Sequence, residues 1–365
     1  MSGNVADDSS EYIFAHAYAP SYLESCASVS DHSIRVLDAA LNQTGRLTGH
    51  DSAIVALEYA PDHSSCLYSA SSNRDKGKGT VAMWDTRAGS GPMRVAQLRS
   101  EVSSISLGMG GNLLAVGAGT SVAFYDPRGD MSKALGRYSD CHTDDVTHVA
   151  FNEQSPNVLV SGSEDGLMCT FNTAVAAQDD AVVSIINTDG PVRRCGFFGQ
   201  NQEGLWCLSC TEQASFWHSM SAQRLLSLPN IRQDMQVDYL VDCFQDPSVP
   251  VSSDPNAVVL LGGTYNGTGR LWGVRPEGLT PIADLPGGHC AMLRCASVRP
   301  AGALGTGSAP VVVTAGEDTR VCRWTLGTAP ASVQAPASSV FTGSSGGGRA
   351  RGGGKQKPDR AYKPY

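Results

Sequence analysis

Charge is scarce in this sequence. Only 17% of its 365 residues are Asp, Glu, Lys or Arg, against roughly 25% in ordinary soluble domains, which argues against a long coiled coil or a chain disordered throughout. Long apolar runs are missing too: the longest candidates, such as Val258 to Leu261 and Val311 to Val313, are strand-sized and far below the ~18 to 20 residues of a membrane helix. No ten-residue stretch repeats apolar residues at helical spacing, so a helical bundle is not expected. The opening MSGNVADDSSEY is polar and acidic, unlike a secretory signal or an organellar presequence. A nuclear or cytoplasmic setting is expected, with no membrane and no secretion.

Paired metal hooks are also lacking. Eleven cysteines are present, but the number is odd and several lie inside apolar runs (Cys169, Cys207, Cys290, Cys295, Cys322), where reduced cysteine acts as a small buried hydrophobe. The one CxxC, Cys207 to Cys210, has no second hook and no paired histidines, which a zinc site needs. In a strand its two sulfurs would point to opposite faces. No metal and no cofactor are expected.

Charge that is present is unevenly placed. From Gly343 to the end the chain carries three Arg, three Lys and one Asp, a net of +5, which leaves 21 basic and 34 acidic side chains, a net of −13, on the first 342 residues. Gly-rich cationic composition cannot bury a core, so a disordered basic Gly/Arg-rich tail is expected over 337–365. Arg349, Arg351, Lys355, Lys357, Arg360 and Lys363 could contact RNA phosphates as flexible point charges. The plainer reading is a solvated or nuclear-targeting tail.

What the sequence has in quantity is repetition. SGSEDGLMCTF (Ser161 to Phe171) and TAGEDTRVCRW (Thr314 to Trp324) share one frame: a small hydroxyl residue, Asp four positions on, and an aromatic six beyond that. Weaker copies end each unit at Leu37, Trp84, Tyr125, Trp217 and Trp272, with separations of 47, 41, 46, 46, 55 and 52 residues along the series. Short β-branched runs punctuated by Gly, Asp and Asn read as strands joined by turns. Seven such units of about 45 residues, the second closing on Trp84-Asp85 and the first and third on Leu37-Asp38 and Tyr125-Asp126, resemble WD40 repeats, in which each unit is one four-stranded blade. The expectation is therefore an all-β, seven-bladed WD40 β-propeller over 11–336, preceded by a flexible N-terminus at 1–10. Either the segment near Glu11 to Ala19 or the one near Ala329 to Ala335 could supply the ring-closing strand.

The resemblance implies roles for particular residues. In the family a loop His, a strand Ser or Thr, a turn Asp and a Trp form a buried hydrogen-bonded lock in each blade. His289, Thr314, Asp318 and Trp324 match all four members. His142, Ser161 and Asp165 match three, with Phe171 in the Trp place. His50, Ser69 and Trp84 match three more, with Asn73 or Asp75 available for the acid. A His-Asp-Ser set invites a catalytic reading, but a nucleophile must be exposed beside a substrate cavity. Here the hydroxyls lie within strands and the set recurs at the repeat period, as a structural lock would. Other enzyme-like matches fail on context: GSSGG (Gly343 to Gly347) lies in the tail without a strand-to-helix elbow, and GMGG (Gly108 to Gly111) has no following helix to hold a phosphate. No catalytic residue and no small-molecule substrate are expected.

Three functional readings follow. The first is a non-catalytic scaffold for protein–protein interactions, in a nuclear or nucleolar complex, using loops such as 73–79, 246–255 and 301–309. The second rests on Trp84-Asp85-Thr86-Arg87, which resembles the WDxR box of cullin-4 ubiquitin ligase substrate receptors. Tyr125-Asp126-Pro127-Arg128 is a weaker neighbour, so Asp85, Arg87, Asp126 and Arg128 are candidate adaptor contacts. The third is weak, salt-sensitive RNA binding through the tail.

Overall fold

The computed structural model describes residues 11–245, 258–300, 302–304, 309–326 and 337–340. Residues 1–10, the insertion at 246–255, the candidate closing segment at 329–335 and the basic residues from Arg349 to Lys363 lie outside them. Seven four-stranded antiparallel sheets follow one another along the chain, each built from four consecutive strands. Blades 1 to 7 occupy residues 13–47, 53–98, 102–138, 146–187, 192–228, 239–285 and 293–340. Inner strands touch in sequence order and the first also packs on the seventh, so the ring is a closed seven-bladed propeller.

Alternation explains the local structure. In the third strand of blade 3, Ser121–Tyr125, and the second strand of blade 6, Val258–Gly263, every residue is buried, because central strands are covered on both faces by neighbouring sheets. Outer strands are wetter: Gln43–Leu47 buries only Leu47. The apolar core is divided into interblade seams, each a separate cluster. Between blades 2 and 3, Tyr68 and Val81 pack with Ile105, Leu114 and Val116; between blades 7 and 1, Val311, Val313 and Ala315 pack with Ile13, Val29 and Leu37. Each buried Val, Leu or Ile among these contributes about 1.5–3 kcal/mol.

Among the described residues, closure uses no exchanged strand. The segment Ile13–Tyr18 is the inner strand of blade 1, and the outer strand of blade 7 is Ala337–Val340, past the boundary that composition places at residue 336. Core packing at this last seam is joined by two polar ties. His16 Nδ1 meets Ser297 Oγ at 2.6 Å, and the Arg323 guanidinium donates to the Ala39 carbonyl at 2.7 Å.

Candidate functional site: buried clasps and the mouth of the central channel

The blade locks come first, because they decide whether the His-Asp-hydroxyl sets face a substrate. In blade 7, Trp324 Nε1–H donates to Thr314 Oγ1 at 2.8 Å, and Thr314 Oγ1 meets His289 Nε2 at 2.8 Å. His289 Nδ1 meets Asp318 at 2.9 Å. The acid can only accept, so Nδ1 carries the imidazole proton and Nε2 accepts from the threonine hydroxyl. Asp318 also accepts the backbone N–H of Cys290 and of Arg320, tying the loop before the blade to the turn within it. Blade 4 repeats the arrangement: His142 meets Ser161 at 2.7 Å and Asp165 at 3.1 Å, and Asp165 caps the N–H of Thr143 and Leu167. Phe171 leaves the serine without an indole donor.

Blade 2 is incomplete. His50 Nε2 meets Ser69 at 2.6 Å, and Trp84 donates to the same hydroxyl at 2.8 Å. Neither candidate acid reaches the ring: Asn73 Oδ1 instead caps the N–H of Lys76 at the short helix Arg74–Lys76, and Asp75 is exposed. His50 Nδ1 is buried without a hydrogen-bond partner among the described residues. The lengthened turn carries both side chains away, which corrects the sequence expectation. In all three blades the hydroxyl is fully buried: Ser69, Ser161 and Thr314 are 0% exposed. A nucleophile without access to solvent cannot meet a substrate; what the blade 4 and blade 7 sets do join is the loop before the blade to the strand and turn within it.

Most cysteines sit in similar seclusion, but Cys290, expected inside with its apolar neighbours, is exposed in the loop that precedes blade 7, and Cys141 and Cys210 are half-buried. Burial pushes the thiols of Cys169, Cys207, Cys295 and Cys322 up to about 12, so they stay protonated near neutrality. Among the described residues no three His, Cys, Asp or Glu converge as metal ligands. GMGG forms the first hairpin of blade 3, with Met109, Gly110 and Gly111 at positive φ.

The accessible feature is the central channel. In every blade the inner strand bulges at one position against its neighbour. The extra residues are Phe14, Val55, Ser103, Thr147, Arg193, Val241 and Arg294, and all seven line a cavity of about 1160 Å³ at one mouth of the channel. A bulge re-aims a side chain out of the pleat, so a repeated defect becomes a ring of side chains around one cavity. Three of these residues also link blades: Ser103 donates to the Val146 carbonyl at 2.5 Å, Thr147 to Val192 at 2.8 Å, and Arg193 to Leu240 at 2.8 Å. Sequence reasoning missed this ring. The available signal was a polar residue directly after the first valine of an inner strand, as in Val102-Ser103, Val146-Thr147 and Val192-Arg193.

The rim is electrostatically divided. Over blades 2 to 4 stand Asp51, Asp75, Glu101, Asp145 and Glu164, with Arg74 as the cation among them, 3.7 Å from Glu101. Burial, together with repulsion from Asp144 and Asp145, raises the Glu164 carboxyl above its ordinary value. Over blades 5 to 7 the arginines are largely neutralised: Arg193 by Glu212 at 3.6 Å, Arg194 by Asp242 at 2.5 Å, and Arg294 by Glu317. Tyr265 stands 65% exposed beside Tyr239.

The WDxR candidates lie on the opposite face. Third strands run away from the mouth, so Asp85 and Asp126 close their strands at the far end of blades 2 and 3. Asp85 Oδ1 accepts the Arg87 N–H at 3.0 Å and the Arg87 guanidinium at 3.2 Å; Asp126 does the same for Arg128 at 2.9 and 3.2 Å. Both arginines are largely exposed.

Comparison with known proteins sets this geometry in context. The family model described as "WD domain, G-beta repeat" matches residues 133–172. The chain is 31% identical over 300 residues to the WD repeat-containing protein 89 homolog of Dictyostelium discoideum, covering 80% of this chain and 78% of that protein. It is also 31% identical over 334 residues to the WD repeat-containing protein GTS1 of Arabidopsis thaliana, covering 86% and 81%. A shorter match, 28% over 164 residues, links it to an uncharacterized WD repeat-containing protein of Saccharomyces cerevisiae.

Proposed function

The chain belongs to the WD40 repeat family, and from that we propose that it is a non-catalytic scaffold that docks proteins at the mouth of its channel, within a nuclear or nucleolar complex. The observation that carries this reading is the bulged ring: seven inner strands aim apolar and charged side chains into one cavity on a braced frame. Apolar walls with a charged rim are what a peptide or loop with one anchoring side chain requires. The locks keep the hydroxyls of Ser69, Ser161 and Thr314 buried, which supports a non-catalytic reading of the His-Asp-hydroxyl sets. Proximity labelling with the full chain and with a Tyr265→Ala/Asp145→Lys variant tests it. A subset of partners is expected to disappear with the variant while the melting temperature holds. An unchanged partner set would remove the mouth as the docking face.

A second reading, recruitment by a cullin-4 ligase adaptor, draws on a separate observation. Arg87 and Arg128 stand at matching ends of adjacent blades, each held by its own Asp. Exposed Met93 and Leu135 occupy the loops that follow them. Pull-down of the adaptor with wild type and with Arg87→Asp/Arg128→Asp decides it; recovery that ignores the substitutions, or no recovery at all, rules it out. RNA contact through Arg349, Arg351, Lys355, Lys357, Arg360 and Lys363 remains a third reading, and its residues lie outside the described ones.

A further inference from the structure

The end of the described chain bears on the channel mouth. In blade 7, Leu293 pairs with Gly316, and Val340 pairs with Arg320. Leu293, Arg294 and Met292 line the mouth, and the turn between Gly316 and Arg320 lies at the same end of the blade. The last strand therefore runs toward the mouth and leaves the sheet on that face. Twenty-five residues follow it, enough to span about 80 Å when extended, whereas roughly 330 folded residues have a radius of gyration near 20 Å. Every part of the rim is within reach.

We propose that the chain's own basic C-terminal segment, from Arg349 to Lys363, docks across the acidic half of the channel mouth and competes there with outside partners. Charge complementarity selects this occupant. The segment from Gly343 is net +5 and the rest of the chain net −13. Asp51, Asp75, Asp144, Asp145 and Glu164 form no ion pair among the described residues, and all five are exposed. On the opposite side, Glu212, Asp242 and Glu317 are already engaged by arginines, and Asp238 shares the rim with Arg232. The larger negative excess therefore lies over blades 2 to 4, where Arg74 offsets part of the Glu101 and Glu164 charge. Below the rim, Phe14, Val55 and Met292 give the channel wall an apolar surface on which the stems of Arg and Lys, or the ring of Tyr362, can pack. Tethering supplies an effective concentration on the order of millimolar, so weak exposed contacts suffice. The segment would then act as a built-in competitor, displaced by a partner with a better fit or a higher local charge.

The test needs only the purified full chain and no partner, so its outcome is separable from that of the scaffold reading. Tryptic cleavage after Arg349, Arg351 and Lys355 is followed by mass spectrometry at low salt. In Asp144→Asn/Asp145→Asn/Glu164→Gln, whose substitutions keep the size and one acceptor oxygen of each exposed side chain, cleavage is expected to speed up about five- to tenfold. Wild type in 0.5 M NaCl should show the same acceleration, because screening shortens to a few ångströms, and this arm stands even if the variant folds poorly. Carbodiimide coupling should link Lys355 or Lys357 to Asp144, Asp145 or Glu164 within one chain. Cleavage at equal rates in all three conditions overturns the proposal. So does coupling only between isotopically distinct copies, which would make the occupant a second molecule. Protection that arises only on addition of an RNA oligonucleotide overturns it as well and transfers the tail to nucleic acid.

Discussion

At the scale of single residues, the locks translate burial into stability. Asp318 accepts three N–H groups, from the His289 ring and from the backbone of Cys290 and Arg320. Asp318→Ala strands those donors at roughly 1–3 kcal/mol in all, and at about 2–4 °C per kcal/mol for a large domain the melting temperature should fall by several degrees. Loss of partner binding with an unchanged melting curve would contradict a bracing role. Titration gives a second prediction. Burial lowers His16, His50 and His148 to about 3, 4 and 4 from 6.5. The unfolded chain takes up protons as pH falls below 6.5 while the folded chain does not, so stability drops between about pH 6.5 and 4. Asp165 and Asp318, held below the ordinary carboxylate value by hydrogen bonds and their histidines despite burial, add a further loss at lower pH. Glu58 works in the other direction. Its carboxyl accepts the Leu107 N–H, and burial pushes it up to about 7 from 4.5, so its contribution is present below 4.5 and is lost as pH rises through 7. Glu58→Gln keeps the acceptor and removes the charge. Melting curves should show a gain at pH 8 and none at pH 5; a gain of equal size at both would sink this account.

At the scale of strands and turns, the closing Asp of the repeat has a mechanical origin. Asp38, Asp85 and Asp126 each accept the backbone N–H two residues on, and Asn172 does so in blade 4, which turns the chain from the third strand into the fourth. This is why the repeat was legible in sequence: one turn chemistry must recur wherever the same corner recurs. The blade 4 and blade 7 locks were legible for a related reason, since a buried hydroxyl, imidazole and carboxylate satisfy one another only at fixed offsets. The bulged ring was hidden because a bulge is a backbone event that tolerates Phe, Val, Ser, Thr or Arg, and no residue type marks it. The missing acid of blade 2 was hidden by the turn insertion, whose path depends on how Asn73 caps Lys76. Thr147→Val tests the ring at this scale. It removes the donor to the Val192 and Gly162 carbonyls at nearly constant volume, and hydrogen exchange should quicken at the inner strands of blades 4 and 5 more than at blades 1 and 2. Uniform exchange across the ring would assign Thr147 no linking role.

At the scale of the whole molecule, the propeller keeps the two proposed docking faces apart. The mouth, with its divided rim, collects the loops between blades, and the Asp-Arg pairs of blades 2 and 3 sit at the other end of the same strands. One partner at each face could therefore be held without overlap. Such a frame must stay closed, and the seam between blades 7 and 1 is the one that the chain does not cross from one blade to the next, with no strand among the described residues passing from one sheet to the other. There the ring depends on packed apolar side chains, on the His16 and Arg323 ties, and on blade 7 being a complete sheet. Ala337–Val340 completes it by covering the edge of Arg320–Thr325. A chain ending at residue 336 would expose that edge's N–H and C=O groups, an invitation to aggregation, and would free Arg320–Thr325 to fray beside the seam. A chain ending at residue 342 retains the strand and loses only the basic segment. The shorter chain should melt several degrees below the full-length protein or aggregate on heating, whereas the chain ending at 342 should melt within about 2 °C of it. Equal melting of both truncations would mean that Ala337–Val340 contributes nothing to closure and that the seam is held by blade 1 alone.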